Sequence, residues 1–463
     1  MQNNNQPESM KRLPLFLLLL AAAVSAQAEG PPTTPESPRP APAKTAPLNL
    51  EQLVNLAYER NPDLQAAQER IGQAEALVAE AAAAFYPKLT GAIGYSYSNN
   101  PAQAFSYIVA QRRYSPTMNI NQPGFVENFR PELVGTMSLF RGGQDYYRKK
   151  AAELGVEAAE LERSALRNRL AASVTAAYYA TLAAPRQVEA ARHSLEAVDS
   201  ELKIARIQHQ EGALLISDVL SLEVRHSQAK ETELRALNAV ELTRSSLRTL
   251  LGLDTSDALE IRETVDVAPP QPEDNLSGLI TQALTQRPEM QAAARQTEMR
   301  EKEVRAEMGG HLPRVNAYAT YGINSRTPDF NFNNDNLTMG VSAEVEIFGG
   351  GAVSARVAGA ERKRAEAQAI RERTRLEIED EVRKAQANVS ETRQRKDVAE
   401  AALAAATEAH RLVREQYRAG AVTVTRFLEA EADRTQSEIH SVTARYDAQV
   451  ANAYLQQAIG AWK

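Results

Sequence analysis

Leu50-Glu51-Gln52-Leu53-Val54-Asn55-Leu56-Ala57-Tyr58-Glu59-Arg60-Asn61-Pro62-Asp63-Leu64-Gln65-Ala66-Ala67 returns later in the same chain in altered spelling. The second version is Leu276-Ser277-Gly278-Leu279-Ile280-Thr281-Gln282-Ala283-Leu284-Thr285-Gln286-Arg287-Pro288-Glu289-Met290-Gln291-Ala292-Ala293, at an offset of 226 (288 − 62). That offset persists at Pro87/Pro313 and Tyr95/Tyr321. From Phe140, Gly142 and Gly143 against Phe348, Gly350 and Gly351 it becomes 208 (348 − 140), and it stays there through Gly212/Gly420, Leu220/Leu428, Glu223/Glu431 and Gly252/Gly460. The first copy therefore holds 18 additional residues (226 − 208), all between Pro87 and Phe140. A repeat this long, with helix and short strand in the same order, points to a symmetric architecture rather than two unrelated domains.

The repeat units occupy 48–268 and 275–463. Before them, Met10-Lys11-Arg12 leads into the apolar run Leu13 to Val24, and Ala26-Gln27-Ala28 has the small residues of a cleavage site. Residues 1–28 thus read as a secretory signal peptide, and the run is too short for a bilayer-spanning helix. Seven prolines between 31 and 47 make 29–47 an extended tether, and 269–274 is a shorter linker between the repeats. With no cysteine, the chain has no disulfide and no lipid-bearing cysteine available to it.

Composition turns the reading away from a compact enzyme. One tryptophan, 6% aromatic residues and apolar content dominated by Ala and Leu suit helices packed along narrow seams. A mean hydropathy of −0.42 agrees with polar faces on several sides. A formal charge of −6 offers no nucleic-acid footprint. Gly349-Gly350-Gly351 lacks the Lys-Ser/Thr of a phosphate-binding loop and reads as a tight strand-to-helix turn. The six histidines show no metal-ligand spacing, and no cofactor site is expected.

Gln144–Gln210 and Ala352–Arg418 are dense in strong helix formers, with Pro185 and Gly359 as interruptions. Pro185 is expected to kink its helix or to mark a junction. A run of this length would extend roughly 100 Å as one helix, which belongs in a coiled coil or tunnel wall. Gly212 and Gly420 are placed to end these helices, with Ser217 and Thr425 as expected caps for returning helices at about 219–251 and 427–459.

Strands are expected at about 87–98, 132–140, 314–324 and 337–348. Leu89, Gly91, Ile93, Tyr95 and Tyr97 alternate with Thr90, Ala92, Gly94, Ser96 and Ser98, and Leu337, Met339, Val341 and Val345 alternate with Thr338, Gly340, Ser342, Glu344 and Glu346. Such segments suit either tilted transmembrane strands or soluble hairpins with one face on a core. Four strands cannot close a barrel, so in lipid closure must come from other copies: eight strands from two, twelve from three. The additional residues, around Phe105 to Phe129, read as a longer outward-facing loop.

In this order and at these offsets, Asn61-Pro62, Arg287-Pro288, Ser138-Leu139-Phe140-Arg141-Gly142-Gly143, Glu346-Ile347-Phe348-Gly349-Gly350-Gly351 and the two tips resemble the TolC-type outer-membrane efflux protein family. The resemblance covers the chain from about Leu48 onward. It implies a mainly α protein with a small β-barrel part: a homotrimer whose four strands per chain complete a 12-stranded barrel in outer-membrane lipid of a Gram-negative bacterium. Long antiparallel helical hairpins would form an α-barrel tunnel in the periplasm, meeting a periplasmic adaptor and an inner-membrane transporter that supplies the energy. By position, the resemblance carries aperture roles to Asp218, Tyr417, Arg426 and Glu429, while Val422 falls where a gating arginine is expected. For Asp218 the alternative is simple helix-dipole stabilisation in a first turn. Gly212, Ala213, Leu214, Gly420, Ala421 and Val422 are candidate adaptor contacts, or else tight turns with local packing. Glu344 and Glu346 are candidates for the barrel lumen, or else solvated strand ends. A periplasmic coiled-coil adaptor or a structural protein would share the helices but not four alternating strands.

Overall fold

The computed structural model describes residues 47–254, 257–263, 275–330 and 332–462. The signal-peptide assignment, the tether up to residue 46 and the 269–274 linker lie outside the described residues. The elements run α1 (Leu50–Arg60), α2 (Pro62–Ala83), β1 (Lys88–Ser98), α3 (Pro101–Ala110), β2 (Val126–Arg141), α4 (Gln144–Gln210) and α5 (Ile216–Leu250). The second repeat supplies α6 (Leu276–Gln286), α7 (Pro288–Met308), β3 (Arg314–Ile323), β4 (Asp335–Glu344), α8 (Ala352–Arg418) and α9 (Val424–Ala458). Among the described residues, no helix is long and apolar enough to cross a membrane.

The chain divides into two units. One comprises Ala76–Glu153 and Met299–Arg364; the other comprises residues 47–75, Leu154–Glu298 and Ala365–Lys463. The second unit carries the helical core, and the repeat is visible in it position by position. Leu53, Ala57, Leu170, Val174, Leu247 and Leu251 form one buried cluster. Their repeat equivalents Leu279, Ala283, Ile378, Val382, Leu455 and Ile459 form another. Truncating any of these leucines to Ala would cost about 2–5 kcal/mol, because the transfer energy and the cavity both count.

Local chemistry explains where helices start. Asn49 caps α1 by accepting from Gln52 N at 2.9 Å, and Gln52 Oε1 accepts from Asn49 N at 2.9 Å, a reciprocal capping box. Asn61 then caps α2, whose first residue is Pro62, by accepting from Asp63 N at 2.9 Å. Its repeat equivalent Arg287 has no acceptor to offer. The Arg287 guanidinium is instead buried between Glu289, at 2.9 Å, and Glu381.

Pro185 neither ends α4 nor divides it: the helix is continuous over 67 residues. A proline removes a single amide donor, and here the flanking Ala183, Ala184 and Val188 are buried, so packing sustains the turns on either side.

In the other unit, the four strands form one antiparallel sheet in the order β1-β2-β3-β4. Register places Gly91 opposite Leu133, Leu133 opposite Tyr321 and Tyr321 opposite Leu337, so the alternating apolar rows of the four strands share one face. Thr90, Val134, Thr320 and Thr338 form a row on the other. A register shift between Ser138 and Phe140 sets Phe140 opposite Val315 and keeps it on the apolar face. β2 begins at Val126 rather than 132, because β1 continues to Ser98 and supplies partners for residues 126–131. β4 stops at Glu344 rather than 348, because its neighbour β3 begins at Arg314, the partner of Glu344. The segment expected as a plain loop contains α3, whose Ala104 and Ile108 are buried against Val126.

Candidate functional site at the hairpin tips

Each long helix closes through the same backbone device. Ala213 N donates to Gln208 O at 2.8 Å and Gly212 N to His209 O at 3.0 Å; in the second repeat Ala421 N donates to Gln416 O at 2.8 Å and Gly420 N to Tyr417 O at 2.9 Å. This paired pattern needs a left-handed residue, and Gly212 and Gly420 have φ of 75° and 73°. The expected helix-capping residues are displaced by two positions. α5 is preceded by Leu215, which has no side-chain cap, so Ser217 lies inside the first turn. Thr423, not Thr425, caps α9 by accepting from Arg426 N at 3.4 Å.

The two tips pack together. Leu202, Ala205, Val219, Leu222 and Val424 form a buried cluster flanked by Leu214, Tyr417 and Leu428. Tyr417 stacks on the buried Phe427 ring at 5.1 Å. Burial raises the Tyr417 phenol above its ordinary value, and the carboxylates of Glu201 and Asp218 push it the same way. The structure thus brings Asp218 and Tyr417 into one electrostatic neighbourhood. Gly212, Ala213, Gly420 and Ala421 are exposed, whereas Leu214 and Val422 are half-buried. Leu215, 71% exposed, and Ile216 present the apolar surface beside them.

Arg426 and Glu429 are both exposed and pair with each other at 3.2 Å. Arg426 is also the repeat equivalent of Asp218 (426 − 208 = 218), so the two tips present opposite charge at matching places. Glu344 is the last residue of β4, on the polar face opposite Arg314. Glu346 lies beyond the strand, with its carboxylate folded back over Gly349.

Two buried charge clusters beside the tips were not singled out from sequence. Glu201 of α4 is 2% exposed and accepts from Arg418 of α8 at 2.8 Å, with Arg414 Nε at 3.5 Å. It ties one hairpin to the other. Glu431 of α9 is fully buried, 2.9 Å from His410 Nε2 of α8 and 3.0 Å from Arg434. Burial alone would favour the neutral acid, but hydrogen bonds from Arg434 and the close His410 ring outweigh it and hold the carboxyl down to about 2. Nothing marks Glu201 in a charge-rich helix. Glu431 was visible as a repeat partner of Glu223, yet Glu223 is only half-buried and pairs with Arg206 at 2.8 Å.

Comparison with known proteins fits this geometry. The family described as outer membrane efflux protein matches residues 53–253 and 279–461. The pyoverdine export outer membrane protein OpmQ of Pseudomonas aeruginosa is 26% identical over 310 residues; the match covers 66% of this chain and 62%, less than two thirds, of OpmQ. Outer membrane protein TolC of Vibrio cholerae is 23% identical over 417 residues, covering 89% of this chain and 90% of TolC. The CmeC outer membrane channel of Campylobacter jejuni has the same fold, with a TM-score of 0.76 at 18% identity over 89% of this chain and 85% of CmeC.

Proposed function

Because the chain belongs to the outer membrane efflux protein family, we propose that three copies assemble into a passive exit duct, its barrel in the outer membrane and its helical hairpins in the periplasm. The observation that carries this reading is the sheet: four strands in register, one face apolar and exposed, and two edge strands without partners among the described residues. Ile93 is 71% exposed and Met339 68%, on a face that has no protein core to cover it. Lipid on that face and pairing of β1 with β4 of the next copy would satisfy both the apolar surface and the open edges. Three copies supply twelve strands and a water-filled lumen lined by the polar face.

Export through such a duct draws its energy elsewhere, from an inner-membrane transporter reached through a periplasmic adaptor. Gly212, Ala213, Leu214, Gly420, Ala421 and Val422 would offer the adaptor its contact surface. Asp218 and Tyr417, with Glu201, would hold the tips closed. The ion pair of Arg426 with Glu429 would leave the aperture mixed in sign and weakly charge-selective. Glu344 would face the lumen, Glu346 its periplasmic end. The relative OpmQ is named for pyoverdine export, which makes pyoverdine the first cargo to test.

The direct test is purification of the mature protein from outer membranes, native mass determination in detergent, and recording in planar lipid bilayers. A trimer with discrete conductance steps is expected. A monomer that stays in solution without detergent and conducts nothing would overturn the proposal. Crosslinking in cells should capture one adaptor and one transporter on the tip residues.

A further inference from the structure

Residues 101–118 fold back onto the sheet, and the side they choose is the polar one; Phe125, where the chain rejoins β2, stacks instead on Tyr97 of the apolar face at 4.6 Å. Pairing between β1 and β2 is regular from Val126 to Thr136, so Val126, Asn128, Arg130 and Glu132 share the face of Val134 and Thr136. On that face, Ala104 and Ile108 of α3 pack against Val126 with Tyr107 and Met118 around them. Gln111, 2% exposed, donates through Nε2 to Glu127 O at 2.7 Å and to Asn128 Oδ1 at 3.0 Å. Asn128 in turn donates to Asn324 Oδ1, beyond β3, at 3.0 Å. Arg112 reaches the first residue of β4, donating to Asp335 O at 2.9 Å. The segment therefore packs on the polar face at β2 and reaches the end of β4 through Arg112.

The turn that ends α3 is held in an unfavourable conformation. Arg113 N donates to Ile108 O and Arg112 N to Val109 O, both at 2.9 Å, the pattern that elsewhere in this chain uses glycine. Here Arg112 takes the left-handed position, with φ of 57°. An L-residue there is strained, and its bond to Asp335 O helps to hold it.

We propose that α3 and this turn form a fixed constriction in the outer mouth of the pore, and that Arg113 biases it toward anionic solutes. The inference rests on the reading that the polar face lines the lumen of a trimeric barrel. Residues 99–125 contain two charged residues, Arg112 and Arg113, and no acid. Arg112 faces Asp335 Oδ1 at 3.6 Å, and on the strand below Arg130 and Glu132 pair at 2.7 Å. Arg113 is exposed and meets only the neutral Gln111 Oε1, at 3.1 Å; it has no carboxylate partner among the described residues. The β3–β4 connection adds Arg326, 3.7 Å from Glu127, and Asp329; Arg113 is thus the cation of residues 99–125 that meets no carboxylate among the described residues, and three chains repeat it around the mouth. A ring of one sign in a narrow pore attracts counter-ions and repels co-ions.

The test uses the purified full-length protein in planar bilayers under a potassium chloride gradient. Wild-type channels should prefer chloride; Arg113→Glu should move the reversal potential toward the cation side, and Arg113→Lys should keep it near wild type. The chain has no cysteine, so Arg113→Cys introduces a single thiol per copy. A bulky thiol-reactive reagent added from the outer side should then lower the conductance, whereas the same reagent on Ile93→Cys, on the apolar face, should not. Channels that form but show neither the shift nor the block would overturn the constriction and leave the duct intact. Failure to form any channel would instead sink the proposed function.

Discussion

Glu431 is a carboxylate with no access to solvent, held there by hydrogen bonds from Arg434 and the Thr435 hydroxyl and by the His410 ring 2.9 Å away. Its folded value of about 2 lies below the ordinary 4.5. The folded state therefore gains stability at pH above about 4.5, and loses it as pH falls from there toward 2. The gain is on the order of 3 kcal/mol at neutral pH. Thermal unfolding followed between pH 5 and pH 2 should show a steeper acid loss for the wild type than for Glu431→Gln; parallel curves would remove Glu431 from the account. Glu201 makes a different prediction. Its bonds to Arg414 and Arg418 join α4 to α8, so Glu201→Gln, like Asp218→Ala, should raise single-channel conductance by loosening the closed tips. Unchanged conductance in both would leave these residues a structural role only. Asp218 could be found in sequence by its position in the family resemblance. Glu201 could not, since a glutamate in a charge-rich helix reveals its burial only when the neighbouring hairpin arrives.

Elements differ in how much of themselves they disclose. The long helices α4 and α8 were legible to the residue, because their composition leaves no competing structure and the glycines at 212 and 420 stop them. Strand alternation was legible too, but strand ends were not. Glu127 and Pro131 spoil the apolar pattern at the start of β2, and only pairing with β1 recruits them. Val345 and Ile347 continue the pattern of β4 beyond its last partner. The alternation itself makes a prediction at this scale. Met339→Arg places a charge on the proposed lipid face and should cost about 2–4 kcal/mol near the membrane midplane, whereas Thr338→Arg, on the polar face, should be tolerated. The yield of assembled protein in the outer-membrane fraction measures the difference, and equal yields would contradict the assignment of faces.

For the molecule as a whole, the two repeats bury equivalent cores yet diverge where charge matters: Asn61 against Arg287, Glu223 against Glu431, Asp218 against Arg426. In the proposed trimer these differences would alternate around the assembly. With cysteines placed together at Thr90 in β1 and Thr338 in β4, a flexible bifunctional maleimide should link neighbouring copies and give a trimer band on denaturing gels; a ladder that stops at monomer would exclude edge-to-edge pairing. The amino-acid order alone determined the tandem repeat, the helix lengths, the apolar and polar strand faces and the family likeness, because all of these are periodic and local. The three-dimensional fold alone decided that α3 folds back over the polar face and which carboxylates are buried at the tips. Those outcomes depend on contacts between residues far apart in the chain, such as Asn128 with Asn324 and Glu201 with Arg418, and no local pattern encodes which distant partner a polar side chain will meet.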